Sequence, residues 1–429
     1  MSLSLLGCPA PAPPPPPPPP TPPGAPVTPA PPTAPGAVAP ATEVDPASSD
    51  AESSDAMALG VELYRRAGRD GQNVVISPMS IQMALAMAYG GARGETATEM
   101  ANVLGFGPDI HTQMGDRLGR YEAPSSDTRP FALEVANRVY TDRQLTLAPA
   151  FTTLTRDRYR AEAEAVDFRG AADAARKSIN GWVKGKTRDK IPALLPPGSV
   201  DTDTRMVLTN AVYFKGDWRQ PFEKSSTASL PFRLADGGDK KVPMMRQTAN
   251  LRYAETDGLQ LLEMGYRGGG WSMVFALPRT VDGLSDLEGR LEAQSLRGWR
   301  EAMRAKSVRV TLPKFELKPG EPMRLSGALR AMGMTRAFDA SRADFSGIAE
   351  ATAGERLVIS EVFHKAFVKL DEKGTEAAAA TAVGIKATSL PMEPVTPVDF
   401  TADRPFMFFL VDADTGAPMF FGRVLDPSA

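Results

Sequence analysis

The sequence predicts a mixed α+β protein in which most of the chain forms one large domain. Segments that alternate like strands are interrupted by helical patterns, in an order that is neither a regular βαβ repeat nor all-β. Of the 429 residues 42% are hydrophobic, and the net charge of −2 gives no excess that would attract nucleic acid or a membrane surface. No second linker-like composition follows residue 50, which indicates one domain or two fused lobes over 50–429.

The first 49 residues differ in composition from the rest of the chain. Nearly half of the 40 prolines lie between Pro9 and Pro46, among alanine, glycine and threonine. A tract with so few large apolar side chains cannot offset its ordering entropy. Residues 1–49 are therefore predicted to be a disordered, polyproline-like tail.

The tail carries Cys8, the single cysteine of the chain, so an intramolecular disulfide is excluded. Leu5-Leu6-Gly7-Cys8 is similar to the lipobox of bacterial lipoproteins, in which the cysteine is lipidated. The basic start and longer apolar region of a signal peptide do not precede it. Either the natural start lies upstream or the match is accidental. We expect an extracellular or cell-envelope protein with a possible lipid anchor, and a cytoplasmic location is the alternative.

The helix predicted at Ser77–Gly91 has a clear beginning and end. Ser77 can cap it, Pro78 suits the first helical position, and Gly90-Gly91 would stop it. Its residues are apolar nearly all round, so we expect it to be buried. Thr96-Ala97-Thr98-Glu99 is typical of a capping box and predicts the start of a second short helix.

The remaining elements follow from hydrophobic periodicity. The predicted strands are Phe131–Tyr140, Met206–Phe214, Trp271–Leu277, Val308–Phe315, Leu357–Leu370 and Phe406–Val411. The predicted helices are Ala148–Tyr159, Ala171–Thr187, Leu284–Glu292 and Met323–Met332.

The residue patterns of most enzymes are missing from the sequence. His111 and His364 are the only histidines that could serve as the base of a serine or cysteine nucleophile. No Gly-x-Ser-x-Gly elbow, His-Glu-x-x-His helix or metal-binding cluster accompanies them. We therefore predict a protein that is not an enzyme and has no cofactor or metal. No run of eighteen apolar residues predicts a membrane span.

A basic stretch lies at residues 297–309. We interpret it as a solvated helix face partly offset by Glu301, and a polyanion-binding surface is the alternative. Its residues are Arg297, Arg300, Arg304, Lys306 and Arg309.

The most informative segment is Glu372–Thr388, whose alanines favour a helix by propensity. With a period of two, however, one face carries only small or apolar residues. These are Thr375, Ala377, Ala379, Thr381, Val383, Ile385 and Ala387. Gly374 offers a hinge without a side-chain penalty. The segment is therefore predicted to be a strand able to slide into a sheet, and a flexible Ala-rich linker is the alternative.

This segment resembles the hinge of inhibitory serpins, in which a glycine and a small residue precede an alanine run. Three further motifs are similar to serpin motifs in the same order. They are Asn73–Ser80 (N-x-x-x-S-P-x-S), the strand Leu208–Trp218 with its tryptophan, and the closing strands Arg404–Phe409 and Phe421–Val424. The resemblance extends over roughly Ala56–Pro427. It implies the serpin fold, with three β-sheets, about nine helices and an exposed reactive-centre loop, and together with the lipobox it suggests a bacterial protein.

The resemblance also implies roles for single residues. The hinge corresponds to Glu372, Gly374, Thr375, Glu376, Ala377, Ala378, Ala379, Ala380 and Thr381. The shutter beneath the central sheet corresponds to Ser77, Ser80, Asn210 and His364. The breach, where insertion begins, corresponds to Trp218 and to Lys314, which is expected to pair with Glu372.

Serpins are suicide substrates: a serine protease cuts the loop, forms an acyl-enzyme, and is trapped when the loop inserts into the central sheet. The family's spacing places the reactive bond at Thr388–Ser389, with cuts after Leu390 or Lys386 as alternatives. Thr388 suits an elastase-like or subtilisin-like protease, Leu390 a chymotrypsin-like one, and Lys386 a trypsin-like one. We expect a monomeric inhibitor, and the alternative is a non-inhibitory serpin that acts as a chaperone or binding protein.

Overall fold

The computed structural model describes residues 46–67, 71–121, 131–318, 320–349, 356–375 and 396–428, with side chains from Asp55 onward. This part of the chain contains nine α-helices. They are α1 Pro46–Ala67, α2 Pro78–Tyr89, α3 Gly94–Leu104, α4 Ile110–Tyr121, α5 Pro149–Tyr159, α6 Phe168–Lys186, α7 Leu284–Arg290, α8 Ser295–Ala302 and α9 Ser326–Ala331.

Sixteen strands lie in the same residues. They are β1 Val74–Ile76, β2 Phe131–Asp142, β3 Glu164–Val166, β4 Met206–Asp217, β5 Ala228–Arg233, β6 Asp239–Thr256, β7 Leu259–Gly265, β8 Trp271–Pro278, β9 Arg304–Pro313, β10 Phe315–Leu317, β11 Met323–Arg324, β12 Glu361–Leu370, β13 Gly374–Thr375, β14 Val398–Thr401, β15 Phe406–Asp412 and β16 Pro418–Val424.

The central sheet has the strand order β10-β12-β13-β4-β2-β3, and β11 pairs with β12. Strands β12 and β4 are parallel and pair directly from Glu361 with Val207 to Phe367 with Tyr213. Beyond the pair of Phe367 with Tyr213, the two-residue strand β13 lies between β12 and β4. Its Thr375 pairs with Leu370 of β12 and with Gly216 of β4. The sheet is therefore closed along most of its length and divided by a third strand only at one end.

A second sheet has the order β1-β16-β15-β8-β7-β6-β9-β14, with β5 on the edge of β6. Strand β6 is 18 residues long. Its first residues pair with β5, its middle with β9, and its last residues with β7. Two of the three predicted sheets are thus joined by hydrogen bonds through β6. The mixed α+β class is confirmed.

Helix α2 lies between the two sheets, in contact with β2 and β4 of one and β16 of the other. Every residue from Pro78 to Ala88 is buried, as the apolar sequence predicts. The opposite face of the central sheet is covered by α6, whose Ile179 and Val183 pack against Tyr213 and Phe367. Because both faces are covered, β4 is buried continuously from Met206 to Phe214 rather than at alternate residues.

Most predicted elements are confirmed, and α2 begins with the Ser77 cap as expected. The capping box at Thr96–Glu99 is wrong, because α3 begins at Gly94. Thr96 Oγ1 instead accepts a hydrogen bond from the Asp344 amide, and the Glu99 carboxylate accepts those of Thr335 and Arg336. The side chains of Thr96 and Glu99 therefore bind a distant part of the chain rather than the backbone of their own helix end.

Three element boundaries also differ for tertiary reasons. The predicted helix Met323–Met332 begins as strand β11, because Met323 and Arg324 pair with β12. The predicted strand Val308–Phe315 is interrupted at Lys314, which separates β9 from β10. Helix α1 begins at Pro46, so the last residues of the predicted tail belong to it. Residues 1–45, Cys8 included, lie outside the described residues. No described helix is long and apolar enough to cross a membrane.

Candidate functional site

The candidate site is the end of the central sheet where β13 lies between β12 and β4. Residues 371–374 form a tight reversal, in which Asp371 and Gly374 exchange backbone hydrogen bonds. Gly374 has a φ of +154°, and a Cβ added there would stand 2.0 Å from the Gly216 carbonyl oxygen. Only glycine fits this close approach of two backbones. The hinge glycine predicted from the sequence is thus required by the sheet itself.

Glu372 anchors the start of this hinge. Its side chain is buried, and its two carboxylate oxygens accept hydrogen bonds of 2.9 Å from Thr227 Oγ1 and Lys314 Nζ. Burial raises the pKa of Glu372, but the hydrogen bonds, that of Lys314 foremost, outweigh burial and lower the pKa below its ordinary value. The expected pair of Lys314 with Glu372 is therefore present and fixes where residues 371–375 leave β12.

Trp218 closes the same end of the sheet from the β4 side. It is fully buried, stacks on the Tyr266 ring at 4.6 Å, and donates from Nε1 to the Asp371 carbonyl at 3.1 Å. Its backbone amide donates to the Lys373 carbonyl at 2.7 Å. Tyr266 in turn shares a 2.6 Å hydrogen bond with the Thr375 hydroxyl. These contacts hold Asp371, Lys373 and Thr375 at the end of the central sheet.

The residues of the predicted shutter form a cluster between the closed part of the central sheet and α2. Three of its polar residues form a row across adjacent strands. Asn137 of β2 pairs with Asn210 of β4, which pairs with His364 of β12. Asn210 Nδ2 donates to Asn137 Oδ1 at 2.6 Å and to Ser80 Oγ at 2.5 Å. The amide of Ser80 donates to Ser77 Oγ, which is the cap of α2. The cluster therefore joins the central sheet to the first turn of α2.

The hydrogen bonds assign the state of His364. The Ser77 amide donates to Nε2 at 3.1 Å, so Nε2 must be an unprotonated acceptor, and Nδ1 then donates to Asn210 Oδ1. Complete burial lowers the pKa of His364 to about 3. The imidazole is neutral near pH 7, and all its polar atoms have partners.

Two residues of the candidate site, Asn137 and Tyr266, are not predicted by the sequence motifs. Asn137 completes the shutter, donating from Nδ2 to the Ser80 carbonyl at 3.1 Å. A polar residue inside the predicted strand Phe131–Tyr140 was the available signal. Tyr266 bridges Trp218 and Thr375, and nothing in its local sequence distinguishes it from an ordinary core tyrosine.

Other predicted residues are separated from this site. Glu376, Ala377–Thr381 and the reactive-bond candidates Lys386, Thr388, Ser389 and Leu390 lie outside the described residues. His111 lies in α4, and its Nδ1 is 2.6 Å from the Tyr159 hydroxyl. The basic stretch is not one helix face, because α8 ends at Ala302 and Arg304, Lys306 and Arg309 belong to β9.

Comparison with known proteins agrees with this geometry. The family model described as serpin (serine protease inhibitor) matches residues 54–427. The chain belongs to the serpin family. An uncharacterised serpin-like protein of Thermococcus kodakarensis is 40% identical, covering 85% of this chain and 83% of its own. Human leukocyte elastase inhibitor is 38% identical, covering 83% of this chain and 93% of its own.

Solved serpin structures match at similar coverage. AtSerpin1 of Arabidopsis, in a native stressed conformation, superposes with a TM-score of 0.77 and 30% identity, covering 90% of this chain and all of its own. This serpin and its relatives therefore share the fold over nearly their whole length. The family is described as one of serine protease inhibitors, which are not catalysts.

Proposed function

We propose that this serpin inhibits serine proteases as a suicide substrate, by cleavage of its reactive loop, trapping of the acyl-enzyme and insertion of the loop into the central sheet. The observation that carries the proposal is β13. The hinge already forms a strand between β12 and β4, antiparallel to both, and the chain that follows it carries small residues on one face.

The register of β13 predicts where an inserted strand would lie. Continuing from Thr375, which is opposite Leu370 and Gly216, places residue 378 opposite Phe367 and Tyr213. Those two residues are the first directly paired residues of β12 and β4. Insertion of Ala378–Gly384 would therefore separate the paired residues one by one, down to Glu361 and Val207.

If the strand continued in the same register, Thr381 would lie between His364 and Asn210. One inserted strand moves these neighbours from about 4.8 Å to about 9.6 Å apart, so their direct hydrogen bond cannot survive. Thr381 would be on the face of Asn210, because directly opposed residues share a face. Its hydroxyl can then bridge the two shutter residues, which explains why a polar residue interrupts the alanine run.

The energetics favour insertion once the loop is cut. The parallel ladder between β12 and β4 is lost, but antiparallel ladders form on both sides of the new strand. At a net ~0.5–1.5 kcal/mol for each additional hydrogen bond, the gain is comparable to the ~5–15 kcal/mol stability of an ordinary domain. The uncut native state is therefore held kinetically rather than at its free-energy minimum.

The reactive bond is proposed at Thr388–Ser389, with Leu390 and Lys386 as alternative cleavage positions. Thr388 after Ala387 favours a protease with a small primary pocket, elastase-like or subtilisin-like. The similarity to a leukocyte elastase inhibitor supports an elastase-like target. Cleavage after Leu390 would instead indicate a chymotrypsin-like target.

The test is incubation of the full chain with elastase, subtilisin, chymotrypsin and trypsin. We expect an SDS-stable complex with one of them and a released C-terminal peptide whose mass gives the cleaved bond. Thr375→Arg is the matched variant, because a buried charge opposite Tyr266 should block insertion and convert the inhibitor into a substrate. Loop cleavage without any covalent complex would overturn the proposal and leave a non-inhibitory binding protein or chaperone.

We also propose that the protein is a bacterial, exported monomer anchored through Cys8 by a Pro-rich tether. The support is the Leu5–Cys8 lipobox-like motif and the tract that follows it. Metabolic labelling with a fatty acid, compared between the natural chain and Cys8→Ser, tests the anchor. Equal labelling of both, or none of either, would contradict it.

A further inference from the structure

A cleft of about 270 Å³ opens next to the breach and is lined by Arg219, the residue that follows Trp218. It lies between the residues after β4, the strands β6 and β7, and helix α8. Its charged lining consists of Arg219, Arg252, Arg300 and Glu263. Two of these arginines come from positions without a basic pattern in the sequence. The cleft therefore gathers guanidinium groups that the sequence alone does not place together.

Glu263 fixes two of the arginines in place. It is buried, and its Oε1 accepts hydrogen bonds from Ser272 Oγ at 2.6 Å and Arg300 Nη2 at 3.0 Å. Arg252 Nη1 lies 2.8 Å from its Oε2. Arg300 also donates to the Ala413 carbonyl. Both guanidinium groups are thus positioned by the protein before any ligand arrives.

Arg219 supplies charge that the cleft does not balance. Its guanidinium lies over the backbone of Gly265, where a Cβ would stand 3.4 Å from its Cζ. Among the described residues no carboxylate forms an ion pair with it. The lining of the cleft contains three guanidinium groups and one carboxylate, an excess of two positive charges. Leu251 and Trp271 add apolar surface to the same lining.

A purely structural role accounts for only part of this arrangement. The ion pairs of Glu263 with Arg252 and Arg300 attach α8 to the sheet. This attachment requires neither the open volume of the cleft nor the charge of Arg219. The excess charge, the preset orientation and the open volume together match the way proteins bind compact oxyanions.

We propose that this arginine cleft binds a small dianion with a short apolar body, a phosphate monoester or a dicarboxylate. The site borders the breach, because the Arg219 amide donates to the Gly265 carbonyl and the preceding Trp218 amide donates to Lys373 of the hinge. A bound dianion would tie residue 219 to β6 and β7. It therefore stabilises the native arrangement of the breach by mass action.

The test uses phenyl phosphate and succinate, each titrated into the full chain by calorimetry, with sodium chloride at equal ionic strength as the control. We expect millimolar or tighter binding of one probe and a higher unfolding temperature of the native protein. Arg219→Gln should weaken binding about tenfold, because one charge-assisted contact is lost. Arg246→Gln removes the same charge from an exposed position on β6 outside the cleft and should leave binding unchanged.

Three results would overturn the proposal. Neither probe binds the natural protein, or Arg219→Gln binds as tightly as Arg246→Gln, or a sulfated polymer binds while both small dianions do not. The last result would favour the polyanion-binding surface instead. No protease is present in these measurements, so they are independent of the proposed inhibitory function.

Discussion

Protonation of His364 should destabilise the native protein in weakly acidic solution. The pKa of His364 is about 3 in the folded chain, against 6.5 for an unperturbed histidine. The unfolded chain therefore binds more protons between these values, so stability is fully present above about pH 6.5 and is lost as the pH falls towards 3. Burial, which penalises the charged imidazolium, is the cause of this lowered pKa. Protonation would also place an Nε2–H against the Ser77 amide, which donates to that atom.

The size of the effect follows from the two pKa values. Their difference of about 3.5, at about 1.4 kcal/mol for each pH unit, corresponds to about 5 kcal/mol in full. Between pH 7 and pH 5, where most carboxylates remain ionised, the expected loss is about 2 kcal/mol. That loss is a large fraction of the stability of a typical domain.

Urea unfolding of the native protein, followed by tryptophan fluorescence across this pH range, measures the loss. His364→Gln should be less stable at neutral pH but should lose most of the pH dependence. His111→Gln is the matched control. Burial also lowers the pKa of His111, but this residue is only partly buried and should contribute less. An equal slope in the natural protein and His364→Gln would refute the reasoning.

Three further outcomes follow from the same end of the sheet. Gly374→Ala should displace β13 from the sheet, because the added Cβ would meet the Gly216 carbonyl. The Trp218 amide, which donates to Lys373, should then exchange its hydrogen faster, and unchanged exchange would contradict this. A double-mutant cycle of Lys314→Met and Glu372→Gln should give a coupling free energy of about 1 kcal/mol between the two side chains, since the lysine is partly exposed. A coupling free energy near zero would show that this ion pair does not anchor the hinge. Asn137→Ala should cost about 1–3 kcal/mol in unfolding free energy, because one Nδ2 hydrogen of the buried Asn210 and the Ser80 carbonyl lose the partners that Asn137 supplies. A substitution at an exposed asparagine such as Asn250 should not reproduce this loss.

Local physical chemistry made much of the molecule predictable. The cap, proline and apolar run of α2 act within one segment, so Ser77–Gly91 was predicted with nearly its observed bounds. The small-residue face after Gly374 also depends only on alternation, and it stays a prediction because residues 376–395 lie outside the described residues. The capping box at Thr96 failed for the opposite reason, because its side chains serve a loop about 240 residues away in sequence.

The sequence by itself determined the class of the fold, the buried helix and the serpin motifs, because each is encoded by neighbouring residues. Tertiary structure alone decided which polar groups meet. His364 contacts Ser77 across 287 positions of the chain, and Tyr266 reaches Thr375 across 109. The arginine cleft likewise joins residues of four separate elements. Such contacts leave no periodic pattern in a single sequence, because their energy comes from burial and charge in a space that only the folded chain creates.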